Sequence, residues 1–99
     1  MYRLTIAYDT PADPAAFDEQ YFGNHVPLCD GIPGLAATTF SKPKALGPGT
    51  APYLIAELDF ADKDAYKAAM SSAEMGAVAK DAETLDATRV MYAGELQSN

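Results

Sequence analysis

The chain contains a single histidine, His25, and it falls on the apolar side of a segment with helical spacing. Phe17, Tyr21, His25 and Leu28 recur at i, i+4, i+8 and i+11, which brings them to one face of a helix. Imidazole is the side chain best suited to proton transfer near neutral pH, so His25 is the leading candidate for a general acid or base. The competing reading is a core-edge histidine donating to a backbone carbonyl. Tyr21, one turn earlier, can hydrogen-bond a substrate oxygen or His25 itself, or simply pack with a wet hydroxyl. Cys29 lies four residues beyond His25, and on a continuous helix the two could generate a thiolate nucleophile. Pro27 intervenes, which favours a small buried thiol instead. Asp81 falls opposite the Val78/Ala82 side of a later helical segment and reads as solvated surface. Met70, Met75 and Met91 read as core filler that leaves some plasticity around any cavity.

Much chemistry is excluded by composition. Seven Lys and Arg against fourteen Asp and Glu give a net charge of −7. Such a surface repels phosphate backbones and anionic lipid, so neither nucleic acid nor membrane is an expected partner. One cysteine cannot form an internal disulfide, and one histidine with one cysteine cannot make a protein-only zinc site, so no metal and no cofactor is expected. GxGxxG, GxSxG and HExxH patterns are absent, and Gly47-Pro48-Gly49 lacks the GxxxxGK[ST] spacing of a phosphate cradle. No apolar run approaches the roughly 20 residues that cross a bilayer, and Met1-Tyr2-Arg3-Leu4 has no signal-peptide layout. The expectation is a cytoplasmic protein whose 99 residues form a single domain.

The elements that must hold His25 are legible as alternating periods. Tyr2 to Asp9 places Tyr2, Leu4, Ile6 and Tyr8 on one face of a strand. Asp13-Pro14 reads as an N-cap with proline at the first helical position. That helix is expected to end or kink near His25, because Pro27 disfavours helical geometry at Val26. Leu35 to Lys42 reads as a second strand, the Pro- and Gly-rich stretch Pro43 to Pro52 as a loop, and Tyr53 to Phe60 as a third strand. Asp62 or Asp64 caps the next helix, which carries Tyr66, Ala69 and Met70 on one side. Ser71 with Glu74 has the form of a capping box, so a helix restart is expected there, with Met75, Val78, Ala79, Ala82 and Leu85 at helical spacing. Thr88 to Leu96 reads as the last strand.

The order is βαββαβ, which suits an α+β, ferredoxin-like fold: a four-stranded antiparallel sheet with both helical segments on one face. If the helices take the Leu4/Ile6/Leu54/Leu58 face, the other face is expected to present Arg3, Thr5, Ala7, Ile55, Met91 and Ala93. That set is too apolar for water and too polar for a monomer's core, so a homodimer pairing these faces is expected.

The run Pro14 to Leu28, PAAFDEQYFGNHVPL, followed by Ile32-Pro33-Gly34-Leu35, resembles the signature of the EthD family, approximately F-x-x-x-Y-x-x-x-H-x-P-L and then P-G-L. Met75 to Asp81 resembles that family's second-helix pattern, which ends in an acidic residue. The resemblance spans nearly the whole chain and implies a dimeric α+β barrel, two ferredoxin-like subunits whose sheets face each other. It also implies a role linked to degradation of ethyl tert-butyl ether. Similar barrels include isomerases, polyketide cyclases, cofactor-free monooxygenases and haem-degrading enzymes, so the fold does not determine the function. The motif histidine and tyrosine map onto His25 and Tyr21, and in similar barrels such residues line a pocket between helix and sheet.

Three functional expectations follow. In the first, a pocket lined by Phe17, Tyr21, Leu28 and Tyr8 takes a small apolar or aromatic carbonyl metabolite. His25 acts there as acid or base in isomerisation, cyclisation or oxidation while Tyr21 orients an oxygen, without any cofactor. In the second, the protein is a non-catalytic accessory that binds a hydrophobic ligand. In the third, it is a haem-binding barrel with His25 as axial ligand.

Overall fold

The computed structural model describes residues 1–98. Four strands, β1 (Tyr2–Tyr8), β2 (Leu35–Ser41), β3 (Leu54–Phe60) and β4 (Arg89–Glu95), form one sheet in the order β2-β3-β1-β4, every neighbouring pair antiparallel. Helices α1 (Pro14–Gln20) and α2 (Val26–Cys29) link β1 to β2, and α3 (Lys63–Met70) and α4 (Ala73–Ala82) link β3 to β4. This is the ferredoxin-like βαββαβ arrangement. The alternation in β1 and β3 is borne out in their pairing: Leu4 faces Leu58, Ile6 faces Ala56 and Tyr8 faces Leu54 across the central ladder. One face of β3 is buried from end to end by Leu54, Ala56, Leu58 and Phe60.

Local capping sets the helix starts. The Asp13 carboxylate accepts the Ala16 N–H at 3.1 Å with Pro14 in the first turn, and the Asp62 carboxylate accepts the Ala65 N–H at 2.8 Å. The second restart begins one residue later than the capping-box pattern predicts. Ser71 is still in helical geometry, its hydroxyl donating back to the Lys67 carbonyl, whereas Ser72 has the extended backbone an N-cap needs and accepts the Met75 N–H at 3.1 Å.

The last strand departs from expectation in phase. Tyr8 is paired with Arg89, Ile6 with Met91 and Leu4 with Ala93, so Arg89, Met91 and Ala93 lie on the helix side. Met91 and Ala93 therefore do not belong to the outer face, where Val90 and Tyr92 stand instead. The reason is physical: β4 is an edge strand that the helical layer leaves bare, and Val90, Met91 and Tyr92 are all exposed. A strand wetted on both sides carries no burial alternation to read. On the outer face of the central strands, Arg3 bonds Asp59 at 2.7 and 3.0 Å and Glu57 at 2.7 Å.

Beneath the helices the apolar side chains form two clusters. One gathers Leu4, Cys29, Ile32, Leu58, Phe60, Ala69 and Val78. The other gathers Tyr8, Phe17, Tyr21, Leu54, Ala82 and Leu85.

Candidate functional site

Between α1 and α2 the helix widens. Tyr21–His25 form a π-helical turn in which the Val26 N–H reaches back to the Tyr21 carbonyl. The regular helix is thus interrupted over Tyr21–His25, where an end or kink was expected, and helical backbone goes on through Pro27 to Cys29. Pro27, with no N–H to donate, sits in the first turn of α2, where proline is tolerated. The widening has a rotational consequence. Positions 17, 21, 25 and 29 would drift apart by about 120° along a regular helix of 3.6 residues per turn. A turn with i→i+5 bonding absorbs that drift. Phe17, Tyr21, His25 and Cys29 are accordingly all buried, and Leu28, expected on this face, is turned outward and 40 % exposed.

The inward stripe meets a cavity of about 200 Å³ at the seam between the two apolar clusters. Tyr8, Tyr21, His25 and Cys29 line it together with Leu4, Val78, Arg89 and Met91. Phe17 is not on the wall. It stacks against Tyr21 from behind, ring centroids 5.4 Å apart and 13° from parallel, and meets Tyr8 edge-on at 5.5 Å. Of the residues expected to form the pocket, the structure thus gathers His25, Tyr21 and Tyr8, sets Phe17 behind them as a buttress and leaves Leu28 outside.

His25 is 4 % exposed, and its Nδ1–H donates to Asp81 Oδ2 at 2.8 Å. Asp81 is near the end of α4, with only 17 % of its side chain exposed. It is therefore not solvated surface: the contact between α2, the π turn and α4 brings its carboxylate under the imidazole. A carboxylate only accepts, so the Nδ1 proton is held toward Asp81 and Nε2 carries the free lone pair. Among the described residues the bond at Nδ1 is the one side-chain hydrogen bond of the ring. The backbone-carbonyl reading of His25 is replaced by a histidine–carboxylate pair beside a cavity. The signal for Asp81 in the sequence was the acidic end of the 75–81 segment, but its partner lies 56 residues away.

Beside the charged Arg89, the cavity wall carries three groups that stay neutral, Tyr8, Tyr21 and Cys29. Burial pushes the Tyr21 phenol far above its ordinary value, with the neighbouring Tyr8 adding to the effect. Burial also raises Tyr8, opposed by the Arg89 charge. The Tyr21 ring leans on the His25 ring at 5.1 Å between centroids. The Cys29 thiol is pushed up to about 11, by burial first and by Asp30 and Asp81 after it, so it stays protonated and is no thiolate nucleophile. Its four-residue spacing from His25 places both on the wall without a bond between them, since Nδ1 is committed to Asp81. Among the described residues no cluster of His, Cys, Asp and Glu suits a metal ion. At about 200 Å³ the space suits a molecule the size of one substituted aromatic ring. Among the described residues no helix is long and apolar enough to cross a membrane.

Comparison with known proteins agrees with this architecture. The model of the EthD domain matches residues 9–86. A Rhodococcus erythropolis protein described as an uncharacterized 11.0 kDa protein in the thcB-thcC intergenic region is 44% identical over 75 residues, 75% of this chain and 73% of that one. The crystal structure of an EthD family protein from Bacillus halodurans is 31% identical and superposes with a TM-score of 0.89, over 98% of this chain and 99% of that one. A protein of unknown function from Thermobifida fusca, described as dimeric and ferredoxin-like, is 19% identical with a TM-score of 0.71, over 96% of this chain and 90% of that one.

Proposed function

The chain belongs to the EthD family, and from that membership and the geometry of its cavity we propose that it binds a small apolar or aromatic carbonyl metabolite and moves a proton on it at His25 without a cofactor. One observation carries the reading: a buried imidazole, oriented by Asp81 through Nδ1, on the wall of a mostly apolar cavity. The carboxylate holds the ring in the tautomer whose Nε2 can accept a proton, and it stabilises the imidazolium that forms. Tyr21 and Tyr8, kept as neutral phenols, can donate to a substrate oxygen. Removal of a proton beside a carbonyl leaves the electron pair delocalised onto oxygen. Return of that proton to a different carbon isomerises the ligand; attack of the enolate carbon on a second carbonyl of the same ligand, whose oxygen then takes the proton from the imidazolium, closes a ring.

A link to ethyl tert-butyl ether breakdown would then lie with a carbonyl compound downstream of the ether, because an unactivated ether offers an imidazole no acidic proton. In the same proposal two copies pair through their outer sheet faces, covering Val90 and Tyr92; the similar Thermobifida fusca protein is dimeric.

The test is deuterium wash-in from D2O into small enolisable aryl ketones and 1,3-dicarbonyl compounds, followed by NMR. The protein is expected to accelerate exchange, and His25→Gln to remove about 10²–10⁴-fold of the rate while the fold is retained by circular dichroism. Exchange no faster than buffer, or a His25→Gln variant that performs equally, overturns the acid–base role. The hydrocarbon character of most of the cavity wall supports a second reading, an accessory that only holds a hydrophobic metabolite. Saturable binding without exchange would favour it.

A further inference from the structure

Among the described residues Arg89 is the one cationic side chain on the cavity wall besides the ionisable His25, and neither the family motif nor the His25–Asp81 pair uses it. It opens β4 directly opposite Tyr8, so the two side chains project from adjacent strands toward the helices. Its charge is felt at the Tyr8 phenol. Among the described residues no carboxylate pairs with it, in contrast to Arg3, which is held by Asp59 and Glu57. Its hydrogen bond is a long one, 3.4 Å from Nη1 to the Ala82 carbonyl at the end of α4. One such bond leaves most of the five guanidinium donors free. The Asp81 carboxylate is committed to His25.

A half-buried guanidinium without a counter-charge beside an apolar cavity is a site prepared for negative charge that appears inside it. The net charge of −7 discourages a ligand that arrives already ionised. We infer that Arg89 is the anion-recognising group of this cavity, and that the ligand class is a neutral, weakly acidic enol, phenol or enolisable carbonyl whose oxyanion forms against Arg89, Tyr8 and Tyr21. The proton leaves for His25 Nε2, and the electron pair it leaves behind ends on the oxygen facing the guanidinium. This inference rests on the proposed function above and names its substrate class.

Because no natural ligand is identified, 4-nitrophenol serves as probe: it ionises near neutrality and its phenolate absorbs visible light. An apolar pocket without a cation would favour the neutral phenol, whereas Arg89 favours the phenolate, so the direction of the shift on binding decides between them. Bound to the wild-type protein, 4-nitrophenol is expected to ionise at lower pH than in buffer. In Arg89→Met its ionisation constant is expected to fall about tenfold or more from the wild-type bound value, while Arg89→Lys keeps the wild-type direction. A helix-capping arginine would change the melting temperature and leave this direction untouched. A wild-type protein that binds the neutral phenol preferentially overturns the inference, as does an Arg89→Met protein with an unchanged shift. Should Arg89→Met not fold, the wild-type direction alone still decides. Retained phenolate preference together with failed deuterium exchange would reject the His25 chemistry and keep the Arg89 site. Absence of binding at millimolar probe would reject the Arg89 site and leave the His25 chemistry to the exchange experiment.

Discussion

Replacing Asp81 by alanine tests the arrangement on which the site depends. In the wild type the Nδ1–H of a ring 4 % exposed ends on Oδ2 of Asp81 at 2.8 Å. Asp81→Ala strands that donor in a buried position, and a buried polar group deprived of its partner costs about 1–3 kcal/mol. For a domain of this size each kcal/mol lowers the melting temperature by about 4–8 °C. Asp81 is itself partly exposed, so little cavity cost is added and the loss should stay within that window. Urea unfolding of the wild type, Asp81→Ala, His25→Gln and the double variant closes a cycle, with an expected coupling of about 0.5–3 kcal/mol. The single histidine allows a second readout free of overlap: its ring nitrogens, followed by NMR at alkaline pH, should report the Nδ1–H tautomer in the wild type and a mixture in Asp81→Ala. An additive cycle, or nitrogen shifts indifferent to the carboxylate, would refute the oriented-imidazole reasoning.

Two further outcomes follow from ionisation. With its thiol pushed up to about 11, Cys29 should be about one-thousandth thiolate at pH 8, so labelling by an aromatic disulfide should be slow and should quicken only with unfolding. The same raised value means the thiol contributes stability that is lost as pH climbs past the ordinary cysteine range, and Cys29→Ser should remove that alkaline component. On the acid side, Lys42 holds the Asp18 carboxyl below its usual value and Arg3 does the same for Asp59. Both contribute stability present above the ordinary carboxyl range and lost as pH falls through their depressed values. Asp18→Asn with Asp59→Asn should therefore flatten the decline in urea midpoint below about pH 4.

The positions that sequence alone placed well share one property: their information is local. Alternation along β1 and β3 reports a face buried by the whole sheet, and those strands pair as the pattern demands. Asp13 and Asp62 bind backbone donors three residues away, within the reach of a cap motif. The i, i+4 steps joining Phe17, Tyr21 and His25 survive because a single turn, regular or widened, keeps neighbours on one face.

Three decisions belonged to the tertiary structure. Whether Leu28 or Cys29 faces inward depends on the π turn, a hydrogen-bond slip that accumulates over three turns and has no fixed residue signature. Which face of β4 meets the helices depends on pairing with β1, because an edge strand wetted on both sides has no apolar alternation of its own. That Asp81 orients His25, and that Arg89 shares a cavity with both tyrosines, depends on two halves of the chain closing on each other. Periodicity states which side of an element is buried. Only the packed sheet and helices determine which distant charge that side meets.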